Sequence, residues 1–245
     1  RSEAEIRAWR VPRGGYFKRA TNTDIQRYRI VDRGEYLLFP HDVDAFPQLP
    51  VGVREHLTAH AAELKKRAAY LRGNCEWWQF TWPLHAEHYG TRRRMLCPYM
   101  ARENRFAIDA GDEFLGLTDT TVLFDNGQAE SLHYLMGLLN SRLLTWRFRS
   151  IGKLKSGGIY EYFWNSISRL PIRRIDFDSP QDRARHDRLV SLVGQMLAAL
   201  SQDAGGRDAE LRDRKCAALD RQIDQLVYEL YGLTDEEIAL VEGNA

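Results

Sequence analysis

A glycine-rich loop with two lysines, GKLKSGG at positions 152–158, carries the clearest chemical signal in the chain. Glycines let backbone N–H groups approach an anion closely, and lysines displace the counterions that surround a polyanion. Between positions 132 and 174, eight Lys and Arg residues stand against one acid, Glu161, which gives a balance of +7. The stretch indicates a binding surface for a polyanion, and its alternative interpretation is a solvated basic turn.

Other basic residues lie near the start of the chain, where positions 10–29 hold six basic residues and one acid, a balance of +5. Residues at positions 10–29, at positions 132–174 and in the Arg92-Arg93-Arg94 run are candidates for phosphate contacts. The candidates are Lys18, Arg19, Arg27, Arg92, Arg93, Lys153 and Lys155. Ser156 and Tyr160 lie in and beside the glycine loop and are candidates for contacts with base edges. Charge and loop context alone support these nine assignments.

The sequence contains weaker signals for two other kinds of site. Glu63-Leu64-Lys65 matches the E-x-K tail of metal-dependent nucleases, with Asp42 or Asp44 as an upstream partner, but apolar spacing predicts a helix where such sites need a strand. A zinc site would have to combine Cys75, His85, His88 and Cys97. No two of these residues have the short C-x-x-C spacing that is typical of zinc sites. We also find no Ser-His-Asp or Cys-His arrangement and no phosphate-binding loop.

A cluster of aromatic residues, WWQFTWP, supplies Trp77, Trp78, Phe80 and Trp82. Such rings can stack on bases, but clustered tryptophans are more often packed in a core or an interface.

The elements that hold these residues predict an α+β fold. We expect a twisted, mostly antiparallel sheet region with long helices over residues 1–178, followed by a helical C-terminal part over 179–245. Strands are predicted at 35–40, 95–99, 120–124 and from Tyr160 onward, and a hairpin about positions 110–112. Helices are predicted over 54–72, ending at Gly73, over 132–139, and beyond an N-cap at Ser141. Two heptad-patterned helices follow Ser179, and the second ends at Gly232 before a capping box of Thr234 and Glu237.

Composition narrows the protein class. The chain has 245 residues and a net charge of +1, but positions 219–242 carry seven acids against Arg221, a balance of −6. Three scattered cysteines do not form a disulfide framework, and no apolar run reaches the length of a membrane span, so a cytoplasmic location is expected. The chain does not begin with Met, and we expect it to be a piece of a longer protein.

Four segments, taken in order, resemble the TaqI-like C-terminal specificity domain of adenine-specific DNA methyltransferases and of restriction enzymes that combine methylation with cleavage. They are RATNTDIQRYRIV, the helix followed by WWQFTWP and RRRMLCPY, the centre LMGLLNSRLL with SRLPI, and IDQLVYELYGLTDEEIALVE. Together they cover nearly the whole chain.

The resemblance implies a domain that positions double-stranded DNA for an upstream methyltransferase domain of the same polypeptide, which would bind S-adenosylmethionine. This chain contains no Pro-Pro dipeptide of the adenine-methyltransferase motif and no glycine-rich cofactor loop. We therefore expect it to hold no cofactor and no catalytic residues of its own. The alternative is a protein-interaction module that docks on a partner subunit through its C-terminal helices.

Overall fold

A computed structural model describes residues 1–41, 43–82, 88–90, 92–202 and 206–243. Contacts divide the chain into two compact units. Unit 1 comprises Arg1–Ala20, Asp32–Arg93 and Ala110–Leu117, and unit 2 comprises Thr21–Val31, Arg94–Asp109 and Thr118–Ala245.

Helices and strands alternate irregularly along the chain. The helices are α1 (Glu3–Ala8), α2 (Val51–Ala59), α3 (Ala61–Leu64), α4 (Ala68–Leu71), α5 (Leu132–Asn140), α6 (Arg142–Ile151), α7 (Trp164–Ile167), α8 (Pro180–Leu200), α9 (Gly206–Tyr231) and α10 (Asp235–Glu242). The strands are β1 (Tyr16–Ala20), β2 (Ile25–Gln26), β3 (Arg29–Ile30), β4 (Tyr36–Leu38), β5 (Arg94–Pro98), β6 (Met100–Ala101), β7 (Ala107–Asp109), β8 (Phe114–Gly116), β9 (Thr120–Phe124), β10 (Lys153–Leu154) and β11 (Tyr160–Glu161). This mixture confirms the α+β class. Within the described residues, no helix is long and apolar enough to cross a membrane.

The strands form small sheets rather than the one sheet region predicted. Unit 1 holds β4-β1-β8, and unit 2 holds β7-β5-β9, β10-β11-β6 and the pair β2-β3. Six of the seven described pairings are antiparallel, as predicted, and β1 with β8 is the parallel one. The predicted hairpin about positions 110–112 is wrong. Its two strands do not pair with each other, because β7 pairs with β5 in unit 2 and β8 pairs with β1 in unit 1.

The single helix predicted over 54–72 is also wrong, because the chain leaves the helical conformation twice. His60 ends α2, and Arg67 is extended, with φ -62° and ψ 133°. The Arg67 guanidinium donates hydrogen bonds to the carbonyls of Trp77 and Gln79, both at 2.8 Å. These contacts with the following segment hold the chain away from a continuous helix. Gly73 ends the region in the left-handed conformation (φ +72°), as predicted.

Part of the aromatic stretch belongs to the core of unit 1. Trp78 is buried with Leu49 and Val53, and Phe80 packs against a second cluster. Trp82, in contrast, is 67% exposed. Packing is therefore confirmed for the first part of the stretch but not for its last ring.

The helices of unit 2 begin and end where local signals placed them. Ser141 accepts a hydrogen bond from Leu144 N–H, and Ser179 accepts one from Asp182 N–H. The Thr234 capping box is present, and Gly232 has φ +66°.

Helices α5, α6, α8 and α9 build the main core of unit 2. Helices α8 and α9 pack together through buried apolar residues of both heptad stripes, as predicted. The compact units do not follow the division at residue 178, because these helices share unit 2 with β5 and β11. As a boundary of function, that division stays a prediction.

The strand predicted from Tyr160 is short. It ends at Glu161, and α7 begins at Trp164. Ile167 and Leu170 are both buried, and their spacing of three residues is helical rather than the alternation of a strand.

Candidate nucleic-acid interface

The GKLKSGG stretch folds as a small hairpin. Strands β10 and β11 pair Lys153 with Glu161, and Lys155 N–H donates to Ile159 O at 2.7 Å. The turn between them is a 3-10 helix, Ser156–Gly158, in which both glycines have positive φ (+67° and +73°). An L side chain would strain the backbone at either position, so this turn needs its glycines. Strand β11 also pairs with β6, which anchors the hairpin to the rest of unit 2.

One carboxylate organises the charges of the hairpin. The Glu161 carboxylate lies 3.0 Å from Lys155 Nζ and 3.6 Å from Lys153 Nζ, and the Tyr99 hydroxyl donates to it. The Tyr99 hydrogen bond, with help from Lys155, lowers the pKa of Glu161, so this side chain is ionised at neutral pH. The hydrogen bond to Glu161 in turn raises the pKa of Lys155. Glu161 therefore orients two ammonium groups but neutralises only one charge.

Two arginines that the site prediction omitted extend the basic area. A Cβ placed on Gly158 would lie 3.6 Å from Arg102 Nη1, so the Arg102 guanidinium faces the glycine turn. Arg149 donates to the Arg102 carbonyl at 3.4 Å. We call Arg102, Arg149, Lys153, Lys155 and the glycine turn the basic hairpin surface. It carries four positive charges against Glu161.

Ser156 and Tyr160 differ in accessibility. Ser156 is exposed in the turn, while Tyr160 is partly buried, with its ring edge-on to Phe148 at 6.5 Å between centroids. The structure thus brings Lys153, Lys155 and Ser156 together on one accessible surface, with Tyr160 beneath it. Their contacts with DNA stay predictions.

Of the predicted phosphate contacts in unit 1, two pair with carboxylates and the other two lie at the end of a chain segment. Lys18 Nζ lies 3.0 Å from Asp32 and 2.8 Å from Glu113, and the hydrogen bond to Glu113 raises the pKa of Lys18. Arg19 pairs with Glu35 at 2.7 Å. Arg92 and Arg93 are exposed at the last positions of the second segment of unit 1.

Arg27 has a structural partner that sequence reasoning missed. Its guanidinium donates two hydrogen bonds to the Asp220 carboxylate, at 2.8 and 3.0 Å, and one to the Asn140 carbonyl at 2.9 Å. The side chains of Arg27 and Asp220 are 30% and 28% exposed. Arg27 therefore ties α9 to the end of α5 within unit 2.

The residues of the nuclease alternative have other contacts. Glu63 lies on α3 and pairs with Lys66 at 2.7 Å, and Lys65 lies over the Trp77 ring. Asp44 is exposed, and Asp42 lies outside the described residues. In the part of the chain that the structure describes, no group of three His, Cys, Asp or Glu side chains is placed to hold a metal.

The zinc alternative lacks a described site as well. Cys75 and Cys97 are free, and Cys97 is buried on β5, where burial raises the pKa of its thiol. His85 lies outside the described residues.

Comparison with known proteins identifies similar chains. The family model described as the TaqI-like C-terminal specificity domain matches residues 21–172. The type II restriction enzyme and methyltransferase RM.Eco57I of Escherichia coli is 24% identical over 178 residues, 69% of this chain and 18% of that protein. The type II methyltransferases M.HincII and M.HindII of Haemophilus influenzae are 28% identical over 101 residues, 40% of this chain and 20% and 19% of those proteins. The chain spans about a fifth of the length of these curated relatives.

Proposed function

Because this chain belongs to the family of TaqI-like C-terminal specificity domains, we propose that it binds double-stranded DNA through the basic hairpin surface and reads its sequence. The family supports a role in DNA recognition, and the names of the relatives support a restriction-modification and methyltransferase context. The observation that carries the proposal is that the hairpin, with its four cations and its glycine turn, lies within the matched residues.

The hairpin suits a phosphate backbone for two physical reasons. Lys153 is 71% exposed, and together with the exposed Arg102 and Arg149 it offers cations that release counterions from DNA. The glycine turn removes side-chain bulk where backbone N–H groups approach phosphates. Phosphate contacts of this kind set the register of a protein on the duplex, and we propose that Ser156 then contacts a base edge.

An upstream domain of the same polypeptide is part of the same proposal. We infer that an S-adenosylmethionine-dependent methyltransferase domain precedes this chain in one polypeptide and methylates adenine. The described sheets here have at most three strands and no doubly wound parallel order, which supports the proposal that the cofactor binds in the other domain. The proposal therefore assigns DNA recognition to this chain and methyl transfer to the upstream domain.

The salt dependence of duplex binding tests the proposal. Replacing both Lys153 and Lys155 by alanine should weaken binding to a mixed-sequence duplex. The negative slope of log K against log salt should become shallower by about 1 to 2, since each phosphate contact contributes about 0.9 to its magnitude. The control is the double variant Lys65→Ala, Lys66→Ala, which removes two exposed lysines directly after α3.

An unchanged slope in the hairpin variant would exclude these lysines from the interface. Binding by the parent chain that does not depend on salt, or no binding at all, would favour the protein-interaction alternative.

A further inference from the structure

Two neighbouring aromatic residues of unit 2 remain exposed although the chain around them is well packed. Phe163 and Trp164 are 43% and 65% exposed, with ring centroids 6.2 Å apart. Tyr162, directly before them, is 1% exposed and stacks on Phe148 at 4.1 Å. The chain therefore inserts one ring into the core and presents the next two at the surface. We call Phe163 and Trp164 the aromatic step.

The backbone that carries the aromatic step is held on both sides. Tyr162 N–H donates to the Tyr99 carbonyl at 2.7 Å, and the Tyr162 carbonyl accepts from Thr121 Oγ1 at 2.6 Å. Beyond the step, the N–H groups of Ser166 and Ile167 both donate to the Phe163 carbonyl. The two rings consequently project from a fixed backbone, which lowers the entropy cost of any contact that they make.

The aromatic step adjoins the basic hairpin surface. Phe163 lies edge-on to Tyr99 at 6.3 Å, and Tyr99 donates to Glu161, the carboxylate that holds Lys153 and Lys155. Glu161 precedes Phe163 by two positions, and the exposed Arg169 follows α7. Exposed rings beside such a concentration of cations have the composition that binds the bases and backbone of nucleic acid together.

We propose that Trp164, supported by Phe163, stacks on a nucleobase that is unpaired or displaced from its stack in the bound DNA. This inference rests on the proposed function and adds a class of contact to it. A base within an intact duplex exposes its face only after unstacking, which costs a few kcal/mol, so an already unpaired base gives the larger gain. Stacking of one base on an aromatic side chain contributes about 1–3 kcal/mol.

The test compares a mixed-sequence duplex with the same duplex that carries one unpaired nucleotide as a bulge. The parent chain should bind the bulged duplex more tightly. Trp164→Ala should lose that preference, with about 5-fold to 150-fold weaker binding to the bulged duplex and an unchanged salt slope. Trp164→Phe should retain most of it, because a ring remains. Trp82→Ala, which removes an equally exposed tryptophan of unit 1, is the control and should behave like the parent.

Three results would overturn the inference. If Trp164→Ala matches the parent on both duplexes, the aromatic step does not contact the DNA, while the salt effect of Lys153 and Lys155 is left intact. Equal weakening on both duplexes with a smaller salt slope would assign Trp164 an indirect effect on phosphate contacts. A parent chain that binds neither duplex would overturn the proposed function together with this inference.

Discussion

Replacing Arg27 by alanine separates two roles for this residue, a phosphate contact and an internal ion pair. Arg27 is a candidate phosphate contact by sequence, but its guanidinium donates three hydrogen bonds to Asp220 and Asn140. We expect Arg27→Ala to lower the free energy of unfolding and to leave the salt slope of DNA binding unchanged.

The size of the effect follows from these contacts. A hydrogen bond to a charged group contributes about 1.5–3 kcal/mol, and two of the three bonds join ions. Removing one partner of a buried pair costs about 3–5 kcal/mol, but the Arg27 side chain is 30% exposed and solvent screens part of that. Burial already raises the pKa of Asp220, so the carboxylate left behind would be poorly solvated. The expected loss is about 2–4 kcal/mol.

Urea denaturation of the whole chain at pH 7, followed by tryptophan fluorescence, measures this loss, and duplex titrations at several salt concentrations measure the slope. Asp220→Asn is the matched partner variant. In that background Arg27→Ala should cost at least about 1 kcal/mol less, because the two residues act as one unit. An unfolding free energy within about 0.5 kcal/mol of the parent, with a slope reduced by about 0.9, would instead show that Arg27 contacts phosphate.

Two further predictions concern the same helical core. Asn140→Ala removes two hydrogen bonds of 2.9 Å to the backbone of the buried Phe106 and should cost about 2–4 kcal/mol in urea denaturation, and a parent-like midpoint would refute that role. Burial raises the pKa of Asp224 from 3.8 to about 6, so the folded chain binds a proton more tightly than the unfolded chain and loses stability as the pH rises from about 4 to about 6. Asp224→Asn keeps an acceptor for Arg142 N–H and should therefore gain stability relative to the parent over that pH window, by at most about 3 kcal/mol. Urea denaturation of both proteins at pH 4, 5, 6 and 7 measures this difference, and a difference that does not change with pH would show that Asp224 is ionised throughout.

Local sequence determined the helix boundaries of unit 2. Ser141, Ser179 and Thr234 each accept a hydrogen bond from a backbone N–H three residues ahead, and Gly232 supplies the left-handed residue that ends α9. These interactions form within one turn of chain, so residue type and spacing suffice to predict them. The clustering of Lys153, Lys155 and the glycines also follows from the sequence, because these residues are neighbours along the chain. The sequence predicted a loop there, however, and the pairing of β10 with β11 was not predicted.

Tertiary structure decided which strands pair and which cations are accessible. The sequence about positions 110–112 has the pattern of a hairpin, yet the two strands that flank it pair with strands of different units. Arg102 reaches the glycine turn because β6 pairs with β11, and Arg27 meets an acid 193 positions away. A Lys or Arg has the same sequence signature whether it faces solvent or a carboxylate. Its partner depends on distance in space, because Coulomb attraction and hydrogen bonding act between atoms that folding brings within a few ångströms.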